Sequence, residues 1–175
     1  MIGTARFDDT DAYRYELRRE WGGKWPLKGE GTVVRPDASV AFLMLNPSTA
    51  TAELLDPTIR RCIRFAVTWG FGALEVINIF ALRSTDPKQL YKADDPIGPD
   101  NDRTILDVAR RSELIIAAWG THGALRDRGR EVAQLLERHE LALHCLGTTK
   151  DGHPRHPLYL PAAAQPVPFP ACDAR

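Results

Sequence analysis

The chain has 175 residues, enough for one domain with a real core, and its 43% hydrophobic and 26% charged residues exclude a disordered chain. Lys plus Arg and Asp plus Glu balance at 23 each, so no global positive charge argues for tight non-specific nucleic-acid binding, although a local basic groove stays open. No apolar run reaches the roughly 18 residues of a membrane helix and no basic-then-apolar leader opens the chain. Cys62, Cys145 and Cys172 lack paired or metal-ligand spacing, which fits a reducing cytoplasm.

Residues 1–37 read as a hairpin-like extension, with one strand around Tyr13-Arg14-Tyr15-Glu16-Leu17 and a second at Gly31-Thr32-Val33-Val34. Four short apolar runs follow: Val40–Leu45, Leu74–Phe80, Glu113–Trp119 and Leu141–Leu146. Each has strand length and lacks polar alternation, so each reads as a strand buried on both faces. The first helix starts at Asp56 as N-cap with Pro57 at its first position, places Ile59, Cys62, Ile63, Ala66 and Val67 inward, and stops near Gly70. A second runs from Asp100 or Asn101 to about Arg111, and a third from about Ala124 to His139. The remainder, residues 161–175, reads as an extended Pro/Ala-rich tail.

Strand and helix alternate three times through long connections, which predicts a three-layer α/β sandwich: a central four-stranded parallel sheet flanked by helices, spanning residues 38–160 of a single domain. Right-handed crossovers place every strand's C-terminal end on one edge, where open parallel sheets bind ligands. The segments that follow the strands are therefore the ones that matter for function.

After the first strand comes Asn46-Pro47-Ser48-Thr49-Ala50, a turn with an amide and two hydroxyls that serves equally as a ligand loop or as a helix entry. The second strand carries Asn78, whose amide needs a partner in an apolar run, then Phe80 and Arg83. The third ends in Trp119-Gly120-Thr121-His122, where glycine allows close backbone approach to a ligand. The fourth leads into Lys150, His153-Pro154-Arg155 and His156-Pro157, a local basic cluster holding two of the five histidines. Arg60, Arg61 and Arg64 form a stripe on the first helix that either contacts phosphate or is simply solvated. No phosphate-binding glycine loop, dinucleotide fingerprint, nucleophile elbow or zinc spacing is present, so a site without metal or cofactor is expected.

Several strings resemble the signature of the bacterial family called domain of unknown function 1643: Phe42-Leu43-Met44-Leu45-Asn46-Pro47-Ser48-Thr49-Ala50, Asp56-Pro57-Thr58-Ile59-Arg60-Arg61-Cys62, Asn78-Ile79-Phe80-Ala81, Pro96-Ile97-Gly98, Ala118-Trp119-Gly120 and His156-Pro157-Leu158-Tyr159-Leu160. With Tyr13-Arg14-Tyr15 they span nearly the whole chain. The order of the motifs is more distantly similar to the uracil-DNA glycosylase superfamily, in its mismatch-specific and thymine glycosylase branch. Asn46-Pro47 looks like the Asn-Pro of that branch's first motif, without its flanking glycines. His156-Pro157 or His153-Pro154 looks like the His-Pro of the second motif, without its Ser-Pro half.

This likeness implies a metal-independent, monomeric hydrolase of N-glycosidic bonds acting on a modified or mismatched base in DNA. Asn46 would position water and His156 would assist the leaving base. Pro47, Ser48, Thr49, Asn78, Phe80, Trp119, Gly120 and His153 would hold the substrate, with Phe65 or Trp69 as a stacking ring. Arg60, Arg61, Arg83, Lys150 and Arg155 would contact phosphates. The same pocket also suits a non-catalytic module that binds nucleotides or nucleic acid, or an N-glycosidase or transferase for free nucleosides.

Overall fold

In a computed structural model of the protein, residues 1–22, 24–25 and 32–170 are described; Gly31 of the expected second strand, Cys172 and the last part of the expected tail lie outside them. The elements in chain order are β1 (Ile2–Phe7), β2 (Arg14–Glu20), β3 (Lys24–Trp25), β4 (Thr32–Val33), β5 (Arg35–Met44), α1 (Pro57–Thr68), β6 (Phe71–Asn78), α2 (Lys88–Lys92), α3 (Asn101–Arg111), β7 (Leu114–Ala117), α4 (Arg128–Arg138), β8 (Leu143–Cys145) and β9 (Val167–Pro168).

Seven strands form one mixed sheet in the order β1-β2-β6-β5-β7-β8-β9. Its centre is parallel: β5 pairs with β6 on one side and β7 on the other, and β7 pairs with β8. The expected four-stranded sheet is thus widened at both edges by antiparallel strands. β2 pairs with β6 and carries β1 outside it, and β9 pairs with β8. Two expectations change with this. The N-terminal strand at Arg14–Glu20 has β1 and β6 as its partners, so β1 and β2 belong to the main sheet, while Thr32–Val33 pairs with Lys24–Trp25 in a separate two-stranded sheet. The tail, expected to lie as an extended surface segment, supplies the edge strand β9.

The central strands are apolar on both faces because helices cover both. All eight residues of β6 are buried, as are the last seven of β5. One core joins α1 residues Ile59, Cys62, Ile63 and Ala66 to Val40, Phe42, Met44, Leu74 and Val76. The other joins Ile105 and Val108 of α3 and Val132 and Leu136 of α4 to Ala41, Leu43, Ile77, Ile115 and Ala117. Adjacent residues of each strand thus alternate between the two layers. The two buried thiols, Cys62 and Cys145, are pushed up by burial, which leaves them inert packing groups.

Helix α1 is built at both ends by its sequence. Asp56 accepts a hydrogen bond from the Ile59 N–H at 2.8 Å, and Pro57 follows at a position whose N–H would have no helical partner. At the far end Gly70 takes φ +84°, a conformation that reverses the chain into β6 and that a side chain would strain. Gly72 has a different reason: a Cβ there would sit 2.5 Å from the Arg35 carbonyl oxygen and 2.7 Å from the Pro36 Cα, where β5 irregularly begins its pairing with β6.

One charged residue interrupts the apolar face of β6. Glu75 is fully buried and stands directly opposite Arg18 of β2. Its carboxylate pairs with the Arg18 guanidinium and with Arg111 at the end of α3, the latter at 3.1 Å, while Arg111 also reaches Glu16 at 2.6 Å. The network ties the antiparallel edge of the sheet to α3. Among the described residues no helix is long and apolar enough to cross a membrane.

Candidate functional site

The strand order determines where the sheet opens. From β5 the chain crosses over α1 to β6 on one side, then returns past α3 to β7 on the other side of β5. Successive connections therefore leave β5 and β7 in opposite directions, and their C-terminal ends frame a crevice. A cleft of about 670 Å³ occupies it, lined by segments that follow β5, β6, β7 and β8 and by the start of α1. That volume suits a small organic ligand.

Asn46 enters the cleft from the loop after β5, half-buried. Its Nδ2 donates to the Ser84 carbonyl at 2.8 Å and to the Pro47 carbonyl at 3.1 Å, and the Ser84 N–H donates to the Pro47 carbonyl at 2.9 Å. Both amide protons thus knit the β5 loop to the β6 loop. The orientation of the amide follows from its two carbonyl partners, leaving Oδ1 as the acceptor not engaged in that knot.

Asn78 ends β6 at 1% exposure, lines the cleft, and has no hydrogen-bond partner for its Nδ2. An unpaired buried donor costs about 1–3 kcal/mol, so a ligand acceptor here would recover that deficit. The strand end itself is well braced: Asn101 Nδ2 donates to the Asn78 and Ile79 carbonyls, each at 3.0 Å, and Arg128 Nε donates to the Ile79 carbonyl at 2.9 Å.

Trp119 and Gly120 follow β7. The Trp119 ring packs edge-on against Phe169 at 5.6 Å and leaves one side on the cleft. Gly120, at φ +71°, donates its N–H to the Pro154 carbonyl at 3.0 Å and so couples this loop to the one after β8. In that last loop His156 accepts at Nδ1 from the Leu158 N–H, 3.3 Å away, which puts the proton of the neutral ring on Nε2. Burial lowers the His156 pKa below the ordinary 6.5, opposed by the nearby Asp56 carboxylate. The ring is therefore mostly neutral at pH 7 and carries its N–H at Nε2, on a residue that lines the cleft.

The sign of the pH effect follows. With its folded pKa depressed, His156 binds fewer protons folded than unfolded, so its contribution to stability is complete above 6.5 and is lost as pH falls through the folded value. Urea unfolding from about pH 5 to about pH 7.5 should show this acid-side loss, removed in a His156→Gln variant. A His156 ring proton resonance that titrates at or above 6.5 would contradict the assignment.

Other expected site residues lie elsewhere. Phe80 is fully buried in the core shared with α3 and α4. Phe65 and Trp69 stack on each other at 5.3 Å within the α1 core, so neither ring lines the cleft. Arg61 donates to the Leu160 carbonyl and lies over the Phe65 ring, anchoring the chain after β8. Arg83 donates to the Asp11 carbonyl at 2.9 Å and covers Phe7. Arg60, Arg64 and Lys150 are exposed and outside the cleft lining, and only Arg155 of the expected phosphate set borders it. Pro47 is buried beneath the Asn46 loop, Ser48 lines the cleft, and Thr49 is exposed beyond its lining. Of the two His-Pro pairs it is His156 that lines the cleft; the His153 backbone instead shapes the loop through Thr149.

Two charged residues of the cleft escaped the sequence reading. Asp56 was recognisable as a helix cap, yet nothing in the sequence said that the cap faces a ligand site. Arg14, at 2% exposure, lines the cleft from the start of β2 and donates through Nη1 to the Ala50 carbonyl at 2.6 Å. Burial takes its guanidinium down to about 10, still protonated at neutral pH. Arg19, equally buried five residues further along β2, donates to the Arg18, Thr51 and Leu54 carbonyls. These two arginines hold the segment between β5 and α1 against β2. Among the described residues no group of three or more His, Cys, Asp or Glu gathers in a way that could hold a metal ion.

No curated protein and no solved structure matches the chain significantly. A family model, described as Protein of unknown function (DUF1643), matches residues 14–158, from the cleft arginine of β2 to the loop that carries His156. That span takes in every strand of the parallel centre and all four loops of the cleft, and the chain belongs to this family.

Proposed function

We propose that the cleft binds a nucleobase glycoside and hydrolyses its N-glycosidic bond. The observation that carries this reading is the convergence of Asn46, Asn78 and His156 on one cleft at the switch point of the sheet, with the Asn78 amide donor buried and unpartnered. The likeness of Asn46-Pro47 and His156-Pro157 to the two motifs of the uracil-DNA glycosylase superfamily supplies the chemistry.

In this scheme the bond from the sugar C1′ to the base nitrogen breaks with its electron pair going to the base. His156 donates from Nε2–H as negative charge develops there, and Asn78 Nδ2 donates to a carbonyl of the base. The Oδ1 of Asn46 orients the attacking water, its own amide fixed by the Pro47 and Ser84 carbonyls. Asp56, the one carboxylate of the cleft lining, stabilises the positive charge that grows on the sugar, and the water's proton passes to solvent.

Two substrate contexts fit the chemistry: a base flipped out of DNA, or a free nucleoside or nucleotide. The engagement of Arg83 with the Asp11 carbonyl, and the positions of Arg60, Arg61, Arg64 and Lys150 outside the cleft lining, favour the second, because a duplex needs a row of free cations beside the site. The test is release of free base from oligonucleotides bearing uracil, hydroxymethyluracil, hypoxanthine or mismatches, and from the matching nucleosides and nucleotides. Base release from any of these supports hydrolysis, and monomers outpacing oligonucleotides supports the second context. A complete lack of release across the panel would overturn the glycosidase reading.

A further inference from the structure

We propose that Arg14 is an oxyanion-binding group and that the ligand of the cleft carries a phosphate monoester, which makes it a mononucleotide rather than a nucleoside or a free base. The nucleotide part of this statement rests on the reading above; the anion site rests on Arg14 itself.

A buried guanidinium demands hydrogen bonds and a counter-charge. The other two buried arginines are better hydrogen-bonded, although only Arg128 has a carboxylate of the described residues within 4.0 Å. Arg128 pairs with Asp102 and Glu131, and Arg19 donates to three carbonyls. Arg14 has one carbonyl on Nη1, its buried Nε has no partner, and no carboxylate of the described residues comes within 4.0 Å of it. With Nη1 anchored, the free edge of the fork is the kind that meets two oxygens of a phosphate at once.

The surroundings favour an anion. Arg83 lies close enough to Arg14 to work against its charge, though less strongly than Asp56 supports it, so an arriving anion meets two cations. The opposing charge is Asp56, whose carboxylate is held by the Ile59 N–H at the start of α1. Ser48, Thr58 and Thr85 add hydroxyl donors to the same cleft, and its 670 Å³ accommodates a nucleoside with its phosphate. The two buried donors without partners at the cleft, Arg14 Nε and Asn78 Nδ2, then take different ends of one ligand: phosphate and base.

Calorimetric titration of the full chain with a nucleoside 5′-monophosphate, the matching nucleoside, inorganic phosphate, acetate and a short single-stranded oligonucleotide tests this. The monophosphate should bind at least tenfold more tightly than the nucleoside, with inorganic phosphate competing and acetate not. Arg14→Gln should remove that preference, and Arg14→Lys, which keeps the charge without the fork, should reduce it. Arg19→Gln loosens the same loop from a residue outside the cleft and should leave the preference intact, which separates anion binding from loop anchoring.

Equal affinity for nucleoside and monophosphate in the unmodified protein overturns the proposal without any variant. So does tighter binding of the oligonucleotide or of acetate, or equal loss in the Arg14 and Arg19 variants. Phosphate-dependent binding without base release would remove the glycosidase reading and leave the anion site standing. Base release at equal KM from nucleoside and nucleotide would do the reverse.

Discussion

Asn46→Ala should lower the turnover of a nucleobase glycoside by about a hundredfold or more, the penalty typical of a displaced reacting group. The substitution removes Oδ1, the acceptor that orients water, along with two hydrogen bonds from Nδ2 to the Pro47 and Ser84 carbonyls. The backbone bond from Ser84 N–H to the Pro47 carbonyl at 2.9 Å remains, so the two loops stay joined and the fold should persist. Asn46→Asp separates the two roles. It keeps an acceptor but turns oxygen toward carbonyl oxygens that had received N–H donors, so the loops should part and thermal stability should fall together with turnover. Steady-state rates and melting curves on both variants read the two effects independently. An alanine variant with undiminished kcat would remove Asn46 from the reaction.

The largest stability effect is expected at Glu75, which is not among the residues that line the cleft. Removing one partner of a buried ion pair ordinarily costs about 3–5 kcal/mol, because the other charge is left uncompensated. Here the stranded arginines have exits: the Arg18 and Arg111 side chains are 29% and 41% exposed, and Glu20 and Glu16 remain beside them. Glu75→Ala should therefore cost about 2 kcal/mol, below the fully buried range. For a chain of this size that lowers Tm by about 4–8 °C. Glu75→Leu, which refills the space with apolar atoms, should recover part of the loss. A Glu75→Ala variant melting within a degree or so of the parent would show that the network contributes nothing net, as many exposed pairs do.

How much of this could be read from the sequence depended on how local the signal was. Asp56-Pro57 and Gly70 bracket α1 by their own backbone chemistry, so that helix was legible at both ends. The parallel strands were legible because burial on two faces leaves an uninterrupted apolar run. β1 was not, since its exposed and half-buried residues alternate on an edge strand and produce no apolar run. Nor was the antiparallel pairing of β2 with β6, which joins segments some 57 residues apart and depends on the Arg18–Glu75 match. The glutamate inside Leu74–Phe80 was the visible clue, since a lone charge in a buried strand needs a partner from somewhere.

Within the cleft the same division holds. Asn78 ends β6, Asn46 follows β5 and His156 lies in the loop after β8, so the topology brings them to one edge. Phe80 lies just past the end of β6, whereas Phe65 and Trp69 lie at the far end of α1, where the chain turns into β6, and a sequence does not reveal whether a ring faces a ligand or the core. Arg14 reaches the cleft from an antiparallel strand outside the parallel unit, and rules about parallel strand ends say nothing of such a residue. Arg61 and Arg83 show the converse: cations near the site in sequence that each donate to a main-chain carbonyl and stay out of the cleft lining.

The antiparallel addition of β2 has a bearing on how this protein can be cut or fused. A fragment beginning at residue 38, the start of the expected core, would expose the whole hydrogen-bonding flank of β6, a strand whose eight residues are all buried. Such a bare apolar rim templates strand addition between molecules, so the fragment should assemble into aggregates rather than fold as a soluble minimal unit. The first twenty residues cap that rim by pairing with it, and any tag or fusion partner at the N-terminus has to leave β1 and β2 free to dock.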